Sequence, residues 1–267
     1  WADVTLLGLD SASTAKDTGK SSVQPSDLPV SKALRKYREA FLNNWPERDS
    51  PYEIQSGRYE WISLDGGRWE DTKVFQGSKK DFKIRLRTGN PTQEIVSESR
   101  DEGADLIVLG CPKGGTCDWE GAKPVPQEIV NTADCSVLLV KEEQPVTRIL
   151  ACLDQGYISQ ESLEMVNQMV TIHGARLELV GLSQNGDMNK NVYTRLIEVG
   201  DYYSDRNVEI KTSLTEVSEF ERFISGEIKQ DLLALWVGKK SLLSTFFARG
   251  WVGRFVSKCQ SSVLVMR

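Results

Sequence analysis

Histidine is almost missing from this chain: His173 is the only one in 267 residues. A single histidine leaves no Ser-His-Asp or Cys-His arrangement for the sequence to recommend and no HExxH helix, so a hydrolase or peptidase of those kinds is not expected. Long apolar runs are missing too, and nothing approaches the roughly 20 residues that a membrane-spanning helix needs. Charge of one sign is not concentrated. Lys and Arg are scattered among Asp and Glu for a net charge of -5, which gives no basic surface for nucleic acid. Cysteine is sparse and odd in number, five in all, and lies inside or beside apolar runs. That usage suits small buried thiols in a reducing compartment, and the cytoplasm is the expected location. No signal peptide opens the sequence, and neither does an initiator Met; a start at Trp1 suits a processed product or a fragment.

What remains is an ordinary globular composition, 39% hydrophobic and 27% charged, of a length that suits two domains. Short runs rich in Val, Ile and Leu predict strands over Val4–Leu9, Phe82–Leu86, Asp105–Leu109, Ser136–Val140, Arg148–Leu153, Arg176–Leu182, Val208–Leu214, Leu232–Val237 and Ser262–Met266. Helical spacing between them predicts helices over Pro29–Trp45, Asn90–Glu102, Val125–Ala133, Ser159–His173, Asn189–Tyr203, Ser218–Lys229 and Trp251–Cys259. Strands alternating with helices imply a doubly wound, mostly parallel sheet. The stretch Tyr52–Lys80 reads as an inserted hairpin turning at Asp65-Gly66.

The polar segment Lys141–Thr147 contains a proline and separates two strands, which suits a linker between a domain at 1–143, carrying an insertion at about 47–80, and a domain at 146–267. The two sides repeat one another. Ala104-Asp-Leu-Ile-Val-Leu-Gly110, a helix, and Cys135-Ser-Val-Leu-Leu-Val140 are echoed by Asp231-Leu-Leu-Ala-Leu-Trp-Val-Gly238, a helix, and Cys259 through Met266. Ala2–Leu9 is likewise echoed by Ala175–Leu182, the second strand of the second half, so the first half lacks a counterpart to Arg148–Leu153 and its helix. A rival register makes Leu6-Leu-Gly-Leu-Asp10 the first strand of a complete copy.

These pieces, with Gly89-Asn-Pro-Thr-Gln-Glu-Ile95 entering a helix, resemble the universal stress protein family in two consecutive copies. The resemblance implies two five-stranded, doubly wound domains, the first either lacking its first strand and helix or complete in the rival register, that pair through their last strands within the chain or in a homodimer. Some members bind ATP. Ile149-Leu-Ala-Cys-Leu-Asp154 looks like the family's first strand with its Asp, and Gly238 with Lys239, or Gly110 with Lys113 and Gly114, looks like its phosphate loop. Such a loop cradles phosphates on backbone amides beside a helix N-terminus.

Both loops depart from the family's pattern of Gly, two residues, Gly, nine residues, Gly and Ser or Thr. After Gly110 the next glycine, Gly114, comes one residue late, and Pro124 and Pro126 stand near the expected Gly-Ser; proline removes an amide donor. After Gly238, Ser241 replaces the second glycine and Gly250 precedes Trp251, with no Ser or Thr. Each residue also has a plain role: Asp154 as a helix cap, Gly110 and Gly238 as turn glycines, and His173 as the basic end of a helix. Cys111 and Cys117 match no common ligand spacing, and no metal is expected. Nothing calls for flavin. The aromatic stretch Ser241–Val256 suits core packing or a partner surface, and the last strand is an edge on which self-association could occur.

Three functions follow from these features. The first is a regulatory module acting through protein contacts, with no catalytic residues. The second is a stress protein sensing ATP or AMP near Asp154. The third is a cytoplasmic regulatory domain of a transporter or larger complex.

Overall fold

The computed structural model describes residues 2–10, 24–45, 50–52, 59–73, 79–111, 124–141, 145–153, 158–184, 190–227, 231–237, 243 and 250–267. They divide into two compact units, Trp1–Ser97 and Glu98–Arg267. This division is not the sequence linker at 141–147, because the closing strands of the first half belong to the sheet of the second unit.

In the first unit, β1 (Val4–Asp10) is followed by α1 (Pro29–Leu42), the strands β2 (Tyr59–Leu64) and β3 (Arg68–Lys73), and β4 (Phe82–Thr88). The sheet order is β1-β4-β3-β2. β1 and β4 run parallel, with Val4 opposite Phe82. The expected hairpin is present: Leu64 faces Arg68 across a turn in which Gly66 and Gly67 both take positive φ. Its second strand continues the sheet by pairing antiparallel with β4. Leu34 of α1 packs on Ile84 and Leu86, and Arg38 donates to buried Asp71 at 3.2 Å while lying 3.7 Å above the Tyr59 ring. The helix α2 (Pro91–Asp101) begins as its sequence predicts, with Asn90 Oδ1 accepting from the Gln93 amide at 3.1 Å.

In the second unit, β5 (Leu106–Gly110), α3 (Val125–Thr132) and β6 (Ser136–Val140) precede β7 (Arg148–Leu153), α4 (Gln160–His173), β8 (Arg176–Ser183), α5 (Lys190–Ser204), β9 (Ile210–Glu216), α6 (Phe220–Glu227), β10 (Leu232–Trp236), α7 (Trp251–Lys258) and β11 (Ser262–Met266). The seven strands lie in the order β5-β6-β11-β10-β7-β8-β9. The five from the second half are parallel to one another, in the doubly wound order that the sequence predicts. α4 shows why prediction works locally: Ser159 accepts from the Ser162 amide at 3.2 Å to start it, and Gly174 ends it at φ 57. One face of the sheet is dry, with Ile149, Ala151 and Leu153 packed under Leu163 and Val166 of α4 and Val199 of α5.

The expectation of a five-stranded sheet in each half needs a correction for the first. Its strands are divided, β1 and β4 in one sheet and β5 and β6 in the other. β1 pairs with β4 in the register by which β8 pairs with β9, Val4–Phe82 matching Leu177–Ile210. This agrees with β1 as the counterpart of β8; as the first strand of a complete copy it would lie beside β5, and it does not.

β6 and β11 join antiparallel with Leu138 opposite Leu264. Counted from Ser136 and Ser262, which open the two strands, these leucines are equivalent positions, so the pairing has a local two-fold axis. The flanking contacts obey it. Lys141 Nζ donates to the Val256 carbonyl at 2.5 Å, and its equivalent Arg267 donates to the carbonyl of Val130, the equivalent of Val256. Burial pushes the Lys141 ammonium pKa down and does the same to Arg267. α3 and α7 meet at the same axis, where a Cβ on Gly253 would lie 2.5 Å from the carbonyl oxygen of its equivalent, Gln127. The last strands, expected to pair within the chain or in a homodimer, pair with each other within the chain.

Two predictions follow from these contacts. Gly253→Ala should lower the stability of this unit by about 1–3 kcal/mol in urea unfolding, since backbone and not a flexible side chain must yield; an unchanged midpoint would mean that the helices do not meet so closely. Arg148 donates to Glu178 at 3.1 Å and to Asp231 at 2.7 Å, both carboxylates nearly buried, with Asp231 the stronger hold on its proton. Arg148→Met takes this partner from Asp231 and leaves Glu178 with Ser213 at 3.0 Å and Lys211 at 3.5 Å, and should cost about 3 kcal/mol by the same measurement, against near-neutrality if solvent reaches Asp231.

Candidate functional site

Doubly wound sheets place ligands at the carboxyl ends of strands where the winding changes direction. In the second half that point lies between β7 and β10, adjacent and parallel, because the chain runs outward from β7 through β8 and β9 and then resumes on the other side of β7. β7 ends at Leu153 and β10 at Trp236, both buried. Asp154 and the pair Gly238 and Lys239 are the chain positions that follow these ends, and they lie outside the described residues. The Arg148 network sits at the opposite, amino end of the same strands: Arg148 opens β7, and Asp231 directly precedes β10.

In the first half Gly110 is the last residue of β5, while Lys113, Gly114 and Cys117 lie outside the described residues. Gly110 itself is in a conformation that does not require glycine: its φ is not positive and a Cβ there would meet nothing within 4 Å. The reading of Asp154 as a helix cap is also corrected, since Ser159 caps α4. Cys111 departs from the general reading of the cysteines as small buried thiols. It is disulfide-bonded, whereas Cys135, Cys152 and Cys259 keep their thiols.

The helices that follow the two loops bear on phosphate binding. α3 has Pro124 at its N-cap and proline in its first turn, without a side-chain cap, and Val125 and Pro126 are buried. Two of the amide donors a phosphate would meet there are missing. α7 starts from Gly250 at φ 77 with Trp251 and Val252 buried behind it. Of the aromatic stretch before and within α7, the described members Leu243, Trp251, Val252 and Val256 are core, and Phe255 packs on Phe220 with ring centroids 5.7 Å apart.

Among the described residues no group of three His, Cys, Asp or Glu side chains could hold a metal ion. No described helix is long and apolar enough to cross a membrane. The polar clusters that sequence reading missed are load sharing between elements. Glu164 of α4 accepts from Tyr202 of α5 at 2.5 Å and Arg206 stacks 3.6 Å above that ring, so the Glu164 carboxyl is held below its ordinary range chiefly by the Tyr202 hydroxyl. Tyr203 beside it is pushed far above the usual phenol range by burial. Only the helical spacing of Gln160 and Glu164 hinted at this pair of helices meeting through polar groups.

Comparison with known proteins places this geometry. The model of the universal stress protein family matches residues 10–141. A search of curated proteins finds no match. Among solved structures, a protein assigned to the universal stress family from Pseudomonas aeruginosa UCBPP-PA14 is 14% identical, with 99% of this chain and 82% of that one covered at a TM-score of 0.54. A functionally unknown protein from Pseudomonas aeruginosa PAO1 is 13% identical over the same shares at 0.51. A universal stress protein from Archaeoglobus fulgidus DSM 4304 is 17% identical, with 71% of this chain and 70% of that one covered at 0.49. At these identities the two Pseudomonas structures bear on the fold alone, and it is the matched segment that bears on membership: residues 10–141 belong to the universal stress protein family.

Proposed function

We propose that the protein is a tandem universal-stress-type regulatory module, with domains at 1–143 and 146–267, that acts through protein contacts and is not a catalyst. One observation carries this reading. Both loops that would cradle phosphates have lost the glycine spacing, and the helix after the first of them starts with prolines where amides are needed. The dearth of histidine and of metal-ligating clusters among the described residues gives chemistry little to work with.

A second reading has its own support. Asp154 and Gly238 follow neighbouring strands at the point where the winding reverses, the place where this architecture takes ligands, and Lys239 would add a cation for a phosphate. An ATP- or AMP-sensing site would then lie in the second half. Attachment of the module to a transporter or larger complex is compatible with either reading.

Isothermal titration of the purified chain with ATP and AMP, with Asp154→Ala as control, separates them. Protein-contact function predicts no heat at millimolar nucleotide. Micromolar binding that Asp154→Ala abolishes would replace it with the sensing function.

A further inference from the structure

The two halves share a plan, and the places where their burial differs locate a surface that only one of them covers. β5 and β10 are equivalent: Leu106 pairs with Ser136 as Leu232 pairs with Ser262. Yet Val108 is 58% exposed where its equivalent Ala234 is 0% exposed. On β10 the difference is made by β7, which pairs along its other edge, and by α4, which lies over the face carrying Ala234. Among the described residues β5 pairs on one side only, with β6. The uncovered face is apolar and runs from Val108 to Val140 on the neighbouring strand, which is 36% exposed. It continues the covered face: Leu106 and Leu138 are only partly buried, and both already pack against the core cluster beneath α4 and α5. β1 in its own sheet tells the same story. It is an end strand with half-buried Val4, Leu6, Leu7 and Leu9, whereas the equivalent Leu177, Leu179, Val180 and Leu182 of β8 are buried.

We infer that the outer edge of β5, with the sheet face beside it, takes up a strand-and-helix segment of a protein partner. The segment has the chemistry of residues 148–173: a basic residue, a run of apolar strand residues, and an amphipathic helix. The second half shows both parts of such a segment in place. Its strand extends the sheet in parallel by main-chain hydrogen bonds, and its helix roofs the apolar face. Charge points to the same occupant. Asp231 at the foot of β10 holds Arg148 of β7 at 2.7 Å, and its equivalent at the foot of β5 is Asp105, which is exposed. A basic residue opening the incoming strand would meet it. An exposed edge beside an apolar face is otherwise a site for unspecific pairing. This inference deepens the protein-contact reading and rests on it, but its test does not depend on what nucleotide does.

The probe is a synthetic peptide of residues 147–174, added to the full chain, with amide hydrogen exchange followed at Leu106 and Val108, whose amides face away from β6. Saturable binding should slow exchange there by about tenfold or more, as expected for amides moved from an open edge into a ladder. Val108→Lys, a change at an exposed position, should abolish the binding while leaving the circular dichroism and melting of the chain unchanged. Reversing the peptide's own charge, Arg148→Glu, should weaken it. Unslowed exchange at the solubility limit of the peptide, equal binding by a peptide of scrambled sequence, or binding indifferent to Val108→Lys would overturn the proposal.

Discussion

The antiparallel pairing of β6 with β11 is the constraint on which the second unit depends. Each half ends on a strand with an open edge, and an open edge of apolar residues must be covered or paired. Pairing the two ends solves both problems at once, and it does so about an axis through Leu138 and Leu264. Once that register is set, equivalent groups must meet in exchange. Lys141 reaches α7, Arg267 reaches α3, and Gly253 lets the two helices approach where a side chain would collide with backbone. The arrangement is that of an isologous dimer contained in one chain.

This joint explains why compactness and repetition give different boundaries. The repeated sequence changes over at the polar linker, but β5, α3 and β6 are bound to the second half by the ladder and fall in its unit. β1, α1 and the hairpin build their own sheet, with Asp71 buried between Arg35 and Arg38 and Glu70 paired to Arg85 at 2.6 Å. Buried pairs of this kind fix partners more than they add stability, which suits a hairpin that must find β4 in one register.

Most of the architecture was legible because short β-branched runs, Ser159 and Gly174 at the ends of α4, and Asn90 ahead of Pro91 act through local chemistry. The echo of Ala2–Leu9 in Ala175–Leu182 even identified β1 as a second strand, which its register with β4 reproduces. What escaped was non-local. Nothing around Arg148 announces two carboxylates brought from positions 30 and 83 residues away, and nothing around Lys141 or Arg267 announces reciprocal carbonyls. The split of the first half between two sheets also depends on pairings that no local pattern encodes. The candidate site was the least legible part. Asp154, Gly238, Lys239, Lys113 and Gly114 were chosen by resemblance, and of the six candidates Gly110 alone lies among the described residues, in a conformation that does not require glycine.

Native-state hydrogen exchange of the closing strands tests the central claim most directly. If the two halves share one sheet through this ladder, the amides of Val137–Leu139 and Val263–Val265 open together, with a single free energy equal to that of β10 beside them. Exchange of β6 at a much lower free energy than β11 would contradict the account, since the first half would then come away from a second half that stands without it.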